Sequence, residues 1–388
     1  MKTQFKTLVF ALILASLTAC NAKSKNRTQD LAISETVINT TSTAENPEIK
    51  VALLLDTSNS MDGLIDQAKA QLWKIVNELS YAKCEDQSPN LKIALYEYGN
   101  DNLNADEGYL RQVIAFSDDL DEISKSLFSL TTNGGNEYCG KVINTALNQL
   151  EWGNSKEDLK LIFIAGNEPY SQGNVSYKDA SKLAHQNDVT VNTIFCGDYN
   201  QGIATQWKDG ADLTHGNYMA INHNAATVHI ASPYDDQILE LNEKLNKTYV
   251  AYGSAGRAKM EMQAEQDSNA RSYNKANAVS RTVSKSSRLY KNSSWDLVDA
   301  EKEADFSYDE IKDSELPEEL QGKSKSEIKT YVEEKAQLRK KLQEEIATLN
   351  LNRREYIAKH TKDSNNSLES AMIKALKSQA EQKNYKWE

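Results

Sequence analysis

Residues 51–55, Val-Ala-Leu-Leu-Leu, are an unbroken apolar run that stops at Asp56, with Ser58 and Ser60 following at spacings of two. A run with no polar alternation reads as a strand buried on both faces, the pattern of parallel sheets. A chain with such a strand must supply helices for both sides of the sheet. Asp56, Ser58 and Ser60 then fall just past the strand's carboxyl end, where open α/β sheets bind ligands. One carboxylate and two hydroxyls in one short loop make a hard, oxygen-only half-site of the kind that takes Mg²⁺ or Mn²⁺. The same loop is also a Ser-rich turn, with Ser60 a good cap for the next helix. The two readings are compatible.

From 49 to 252, buried-type strands alternate with amphipathic helices. Strands are expected at Ile49–Asp56, Leu91–Tyr98, Leu110–Phe116, Leu159–Ala165, Val189–Cys196 and Asn217–Ile221. Leu64, Ala68, Leu72, Ile75, Val76 and Leu79 mark one face of a first helix, and further helices begin near Asp119, Tyr138, Tyr177, Gln201 and Asp235. Alternation of this kind predicts a mostly parallel sheet wrapped by helices.

The Asp56-x-Ser58-x-Ser60 loop, set between a strand and a helix, resembles the first motif of the metal-ion-dependent adhesion site of the von Willebrand factor A family. The resemblance implies an α/β, Rossmann-like domain with a mostly parallel central sheet flanked by helices, and 110–116 as its antiparallel edge strand. It also implies two further metal-binding loops. In the second, Thr131-Thr-Asn-Gly-Gly-Asn-Glu-Tyr-Cys-Gly140, Glu137 stands where the family has Thr, with Thr131 and Thr132 as substitutes. In the third, Ala165 and Gly166 replace the family's Thr-Asp, leaving Asn167 and Glu168 to supply an oxygen. The stretch Ala-Gly-Asn-Glu-Pro169 looks like a bacterial branch of the family. The expected metal set is Asp56, Ser58, Ser60, Glu137 and Glu168. The cofactor is a divalent cation, Mg²⁺ first, with Mn²⁺ or Ca²⁺ as alternatives. The other reading is a motif kept for loop geometry, with Asp56 bonded to backbone N–H groups. As the family's known mode implies, an acidic side chain of a partner protein would fill the open position. The loops around Tyr98–Asp101 and Tyr170 would then set specificity.

Lys2 and Lys6 precede an apolar stretch, Leu8 to Ala15, too short to span a bilayer, and small residues lead to Cys20. This resembles a bacterial lipoprotein signal, with Cys20 as the lipid-bearing residue and 1–20 as signal and lipobox. Residues 21–47, rich in Ser, Thr, Asn and Lys, read as a solvated tether. The chain is then expected in the cell envelope, lipid-anchored. Asn21 in place of Asp leans toward the outer membrane. Taking Lys2 and Lys6 from the 45 basic residues leaves 43 against 56 acidic ones, a net charge of −13. That balance excludes nucleic-acid binding through a basic surface.

The expected division places the first domain at 48–253 and a helical C-terminal region at 254–388. Residues 254–291 are basic and 301–319 acidic, read as segments that neutralise each other or stay solvated. Trp295 is a packing anchor. Ser324-x-x-Glu327 is a capping box opening a long helix, and Leu368, Met372, Ala375 and Leu376 mark a last one. These helices pack on themselves, on the first domain, or in a coiled-coil dimer. With the topology implied above, Cys139 and Cys196 both sit at the sheet's carboxyl edge and form the plausible disulfide, leaving Cys84 free. His215, His223 and His229 have no zinc-site spacing. Neither a nucleotide-binding nor a hydrolase motif occurs, and the chain is expected not to be an enzyme. The function implied is a membrane-anchored protein-binding module. The competing one is a structural or assembly lipoprotein that acts through its C-terminal helices, with a vestigial metal site.

Overall fold

The computed structural model describes residues 46–225, 230–360 and 368–387. Cys20, the signal and nearly all of the tether lie outside the described residues, as does His229. Six strands form the main sheet: β1 (Glu48–Asp56), β3 (Asn90–Tyr98), β4 (Leu110–Ser117), β5 (Leu159–Gly166), β6 (Thr190–Cys196) and β7 (Tyr218–Ile221). Their order is β4-β3-β1-β5-β6-β7, with β4 antiparallel and the rest parallel. A separate two-stranded ribbon pairs β2 (Ala82–Cys84) with β8 (Tyr385–Trp387). The sequence pattern gave no sign of it.

β1 lies at the centre of the sheet, which explains its continuous apolar run. Ala52 and Leu54 pack with α3 (Cys139–Gln149), α4 (Tyr177–Gln186) and Trp207 of α6 (Trp207–Asp212). Val51 and Leu55 face α1 (Asp62–Ser80), α2 (Leu120–Phe128) and α12 (Leu368–Glu381). The short α5 (Tyr199–Ala204) follows β6. A second layer covers α1: α7 (Asp235–Asn246), α8 (Gly256–Tyr273), α9 (Lys275–Ser286) and the 36-residue α11 (Lys325–His360). The one-turn α10 (Leu297–Ala300) sits under α11.

Helices from both sides of residue 253 share one apolar core. Val279, Val283, Leu342, Ile346, Met372 and Leu376 join it alongside Trp73 and Val76. The C-terminal helices therefore wrap the first domain. The capping box is present, with the Ser324 hydroxyl donating to Glu327 at 2.6 Å. Trp295 is buried and stacks on Tyr249 at 5.8 Å.

Of the basic block, Arg257, Arg271, Lys275 and Lys291 are exposed, whereas Lys259, Arg281 and Lys285 turn inward and pair with carboxylates outside the acidic 301–319. Lys259 reaches Asp119 at 2.7 Å. Arg281 pairs with Asp121 at 2.5 Å and Asp267 at 2.9 Å, and Lys285 with Asp267 at 2.7 Å. All residues from Ala276 to Lys285 are buried. Two more buried arginines tie down α11. Arg339 pairs with Asp296 at 2.6 Å and Arg353 with Asp235 at 2.8 Å.

Candidate metal centre

β1 ends at Asp56, and its carboxylate turns back into the loop. Oδ1 accepts the Ser58 N–H at 2.7 Å, an Asx-type turn that fixes the start of the helical segment. The Ser58 and Ser60 hydroxyls lie 3.2 Å apart, and Asn167 Nδ2 donates to Ser60 Oγ at 3.0 Å. Beneath the loop, the Thr57 hydroxyl donates to buried Glu97 at 3.1 Å, and its N–H donates to Tyr98 O at 2.8 Å.

The second loop brings Glu137 against Asp56, with the two carboxyl groups in hydrogen-bonding reach of each other. Asp56 is 0% and Glu137 4% exposed. Asp56 Oδ2 and Glu137 Oε2 are buried with no donor. Burial pushes the Asp56 carboxyl well above its usual range, and the adjacent Glu137 adds to the rise. Burial also raises Glu137; contacts with Asp56 and Ser58 oppose the rise, and the charge of Glu168 adds to it. Two carboxyl groups this close, out of water, need a shared proton or a cation between them.

Glycines make this approach possible. Gly99 has φ +79°, and a Cβ there would lie 2.7 Å from Glu137 Cγ and 2.8 Å from Asp56 Oδ1. A Cβ on Gly166 would lie 2.5 Å from the Tyr98 hydroxyl and 3.1 Å from Asp56 Oδ2. A side chain at 166, where the family places its third-loop Asp, has no room here, and the second carboxylate comes from Glu137 instead. Gln172 secures that loop by accepting the Glu137 N–H at 2.8 Å. Sequence reasoning missed Gly99, Tyr98 and Gln172 as supports. The glycine after the second parallel strand was the one available signal.

Glu168 stands apart from the other expected ligands. Its backbone N–H and its charge both act on Glu137, but its side chain is exposed. Thr132 is drawn away to Asp62, and the Thr131 carbonyl accepts from Asn100 at 2.9 Å. Among the described residues, no three His, Cys, Asp or Glu side chains cluster as a metal site. A cation here would draw on Asp56, Glu137 and the serine hydroxyls together, and that oxygen-only donor set fits a hard divalent ion.

The expected Cys139–Cys196 disulfide is not formed: Cys84, Cys139 and Cys196 are all free and buried. Both residues do lie near the sheet's carboxyl edge, but on opposite faces. Cys139 packs in the α3–α4 core with its sulfur 3.8 Å from the Tyr98 hydroxyl, and Cys196 packs in the α1 core. The sheet separates them. Tyr170 is likewise no surface specificity residue. It is fully buried against Trp207 and Tyr177, with ring centroids at 5.0 and 5.3 Å.

The model of the von Willebrand factor type A domain matches residues 50–231. A comparison with curated proteins found no match. Among solved structures, the chain is similar to the conserved hypothetical protein BatB from Bacteroides thetaiotaomicron, at 16% identity and TM-score 0.35, over 45% of this chain and 90% of that one. It is similar to the SpRpn10 VWA domain at 14% identity and TM-score 0.34, over 45% and 88%. It is also similar to proximal thread matrix protein 1 from the mussel byssus with a zinc-occupied MIDAS motif, at 14% identity and TM-score 0.34, over 45% and 41%. Over residues 50–231 this chain carries a von Willebrand factor type A domain.

Proposed function

We propose that this chain is a protein-binding module of the cell envelope, held by lipid on Cys20 at the outer membrane. Its type A domain engages a partner protein through the loops at the sheet's carboxyl edge, around a divalent cation held by Asp56, Ser58, Ser60 and Glu137. The observation that carries this reading is the pair of buried carboxyl groups, each with an oxygen that no protein donor reaches. Such a pair is costly to bury unless something positive lies between. Glu168 adds charge to the rim rather than a ligand to the floor. The cation, when bound, supplies a fixed positive centre. The protein's part is to hold two carboxylates and two hydroxyls at one spot, with Gly99 and Gly166 keeping that spot open.

Thermal melting in EDTA and in Mg²⁺, Mn²⁺ or Ca²⁺ tests the site. A cation at 100 times its dissociation constant adds about 2.7 kcal/mol to the folded state. The expected result is a cation-specific rise in Tm that is lost in Asp56→Ala. Equal melting of the wild type under all these conditions would remove the cation from the proposal. Replacing Cys20 by Ser should move the protein from the membrane to the soluble fraction, and retention on the membrane would remove the anchor.

A further inference from the structure

Five loops converge on the carboxyl edge of the sheet around Asp56: 57–63, 99–109, 131–138, 166–176 and 197–206. They contain Asp62, Asp101, Asp106, Glu107, Glu137, Glu168 and Asp198, and no lysine or arginine. All of these acidic side chains except Glu137 are exposed. Contacts join the loops into one surface. Asp101 N–H donates to Gly134 O at 2.6 Å, and Asn133 N–H to Thr57 O at 3.0 Å. Trp207 Nε1 donates to Glu168 O at 2.8 Å, and Tyr170 N–H to Thr205 O at 3.0 Å. Lys141, on the first turn of α3, lies beside Gly108 at the margin.

In a fold of this topology the helices that follow the strands point their N-termini at this edge, which by itself favours an anion. The acidic loops reverse that preference. At the floor, the buried Asp56 and Glu137 oxygens without a donor already call for positive charge. A divalent cation there would cancel only those two carboxylates. The six exposed ones would still face the partner and repel an acidic side chain. Beside Asp198, Tyr199 is 51% and Ile203 41% exposed. An aromatic and an aliphatic side chain next to carboxylates suit the long stems and cationic heads of lysine and arginine.

We infer that this face recognises a lysine- and arginine-rich segment of a partner protein, the opposite charge to the acidic ligand that the family resemblance implies. The inference rests on the carboxyl edge being the interaction face proposed above.

The test measures binding of the full chain to two 15-residue peptides, one rich in Lys and Arg and one rich in Asp and Glu, with Mg²⁺ or EDTA. Two charge-reversed variants accompany it: Asp101→Lys with Glu107→Lys at the face, and Glu344→Lys with Glu345→Lys on the exposed side of α11. Both pairs change the net charge equally. The basic peptide should bind, and the face variant should weaken it about tenfold at low salt, while the α11 variant changes it by less than about twofold. Should the face variant fail to fold, Asp101→Asn with Glu107→Gln carries the same comparison with a smaller loss. Equal weakening by both pairs would show non-specific attraction and overturn the inference. Mg²⁺-dependent binding of the acidic peptide would also overturn it, while leaving the cation site standing. A cation-dependent Tm rise with no binding of the basic peptide defeats this inference alone. Neither a rise nor binding defeats both.

Discussion

At the scale of single residues, the centre depends on what is missing as much as on what is present. Gly166 leaves the space that the Tyr98 hydroxyl and Asp56 use, and Tyr98 spends its proton on Ala165 O at 3.0 Å. Gly166→Ala should therefore cost about 1–3 kcal/mol by overpacking. In a Tyr98→Phe background the cost should fall, because the atom nearest the new methyl is gone. Denaturant midpoints of the two single variants and the double variant measure the coupling, and strict additivity would refute the contact. Asp56, Ser58 and Ser60 were legible in the sequence because strand, turn and helix occur within a dozen residues. Glu137 was legible only through the family pattern. That pattern could not show that Gly166 is what lets the Tyr98 hydroxyl and Asp56 sit where they do.

At the scale of elements, α9 shows where reading by periodicity fails. Its sequence, Lys-Ala-Asn-Ala-Val-Ser-Arg-Thr-Val-Ser-Lys-Ser, looks solvated, yet the helix lies between α1, α7, α8 and α11. Burial is tolerable because its polar groups find partners on other helices. Asn277 donates to Lys69 O at 3.1 Å, and Ser284 to Asn77 Oδ1 at 2.7 Å. The central partner is Asp267. Burial alone would raise its carboxyl, but Lys285 and Arg281 outweigh that and hold it far below the usual carboxylate range. With the folded value depressed, this stabilisation is fully present above the unfolded pKa of about 4 and is lost as pH falls through the folded value. Asp267→Asn should cost about 3–5 kcal/mol at pH 7 by leaving buried Lys285 without its carboxylate and Arg281 with Asp121 alone. The gap from wild type should begin to narrow below about pH 4, where Asp267 takes up a proton in the unfolded chain before it does so in the folded one. Urea midpoints at pH 7 and at pH 3 check this, and a gap that widens in acid would contradict it. Lys285 itself is drawn down to about 8, because burial outweighs its attraction to Asp267.

At the scale of the molecule, the α/β class and the strand positions came from apolar runs that alternate with helical periods. The packing of the C-terminal region was hidden because those helices close on the sheet from far along the chain. Leu368 N–H donates to Gln67 Oε1 at 3.2 Å across 301 residues, and Gln379 of α12 and Asn192 of β6 bond in the core. Leu368, Met372, Leu376 and Tyr385 are all buried. At about 1.5–3 kcal/mol for each side chain, they contribute roughly 6–12 kcal/mol, comparable to the whole stability of a domain. A chain ending at 360 should lose its cooperative melt by circular dichroism. A sharp transition near the full-length Tm would show that α12 is dispensable. The competing assembly role for these helices therefore cannot be tested by deleting them, because they are part of the core that positions the centre.

The place of α12 also sets the order in which the molecule can be made. A growing chain lays down the strands early and leaves the face that α12 covers uncovered until residues 368–387 emerge. Folding must therefore wait for contacts between segments some 300 residues apart, which slows it and exposes apolar surface meanwhile. Each unfinished chain is a candidate for aggregation or proteolysis.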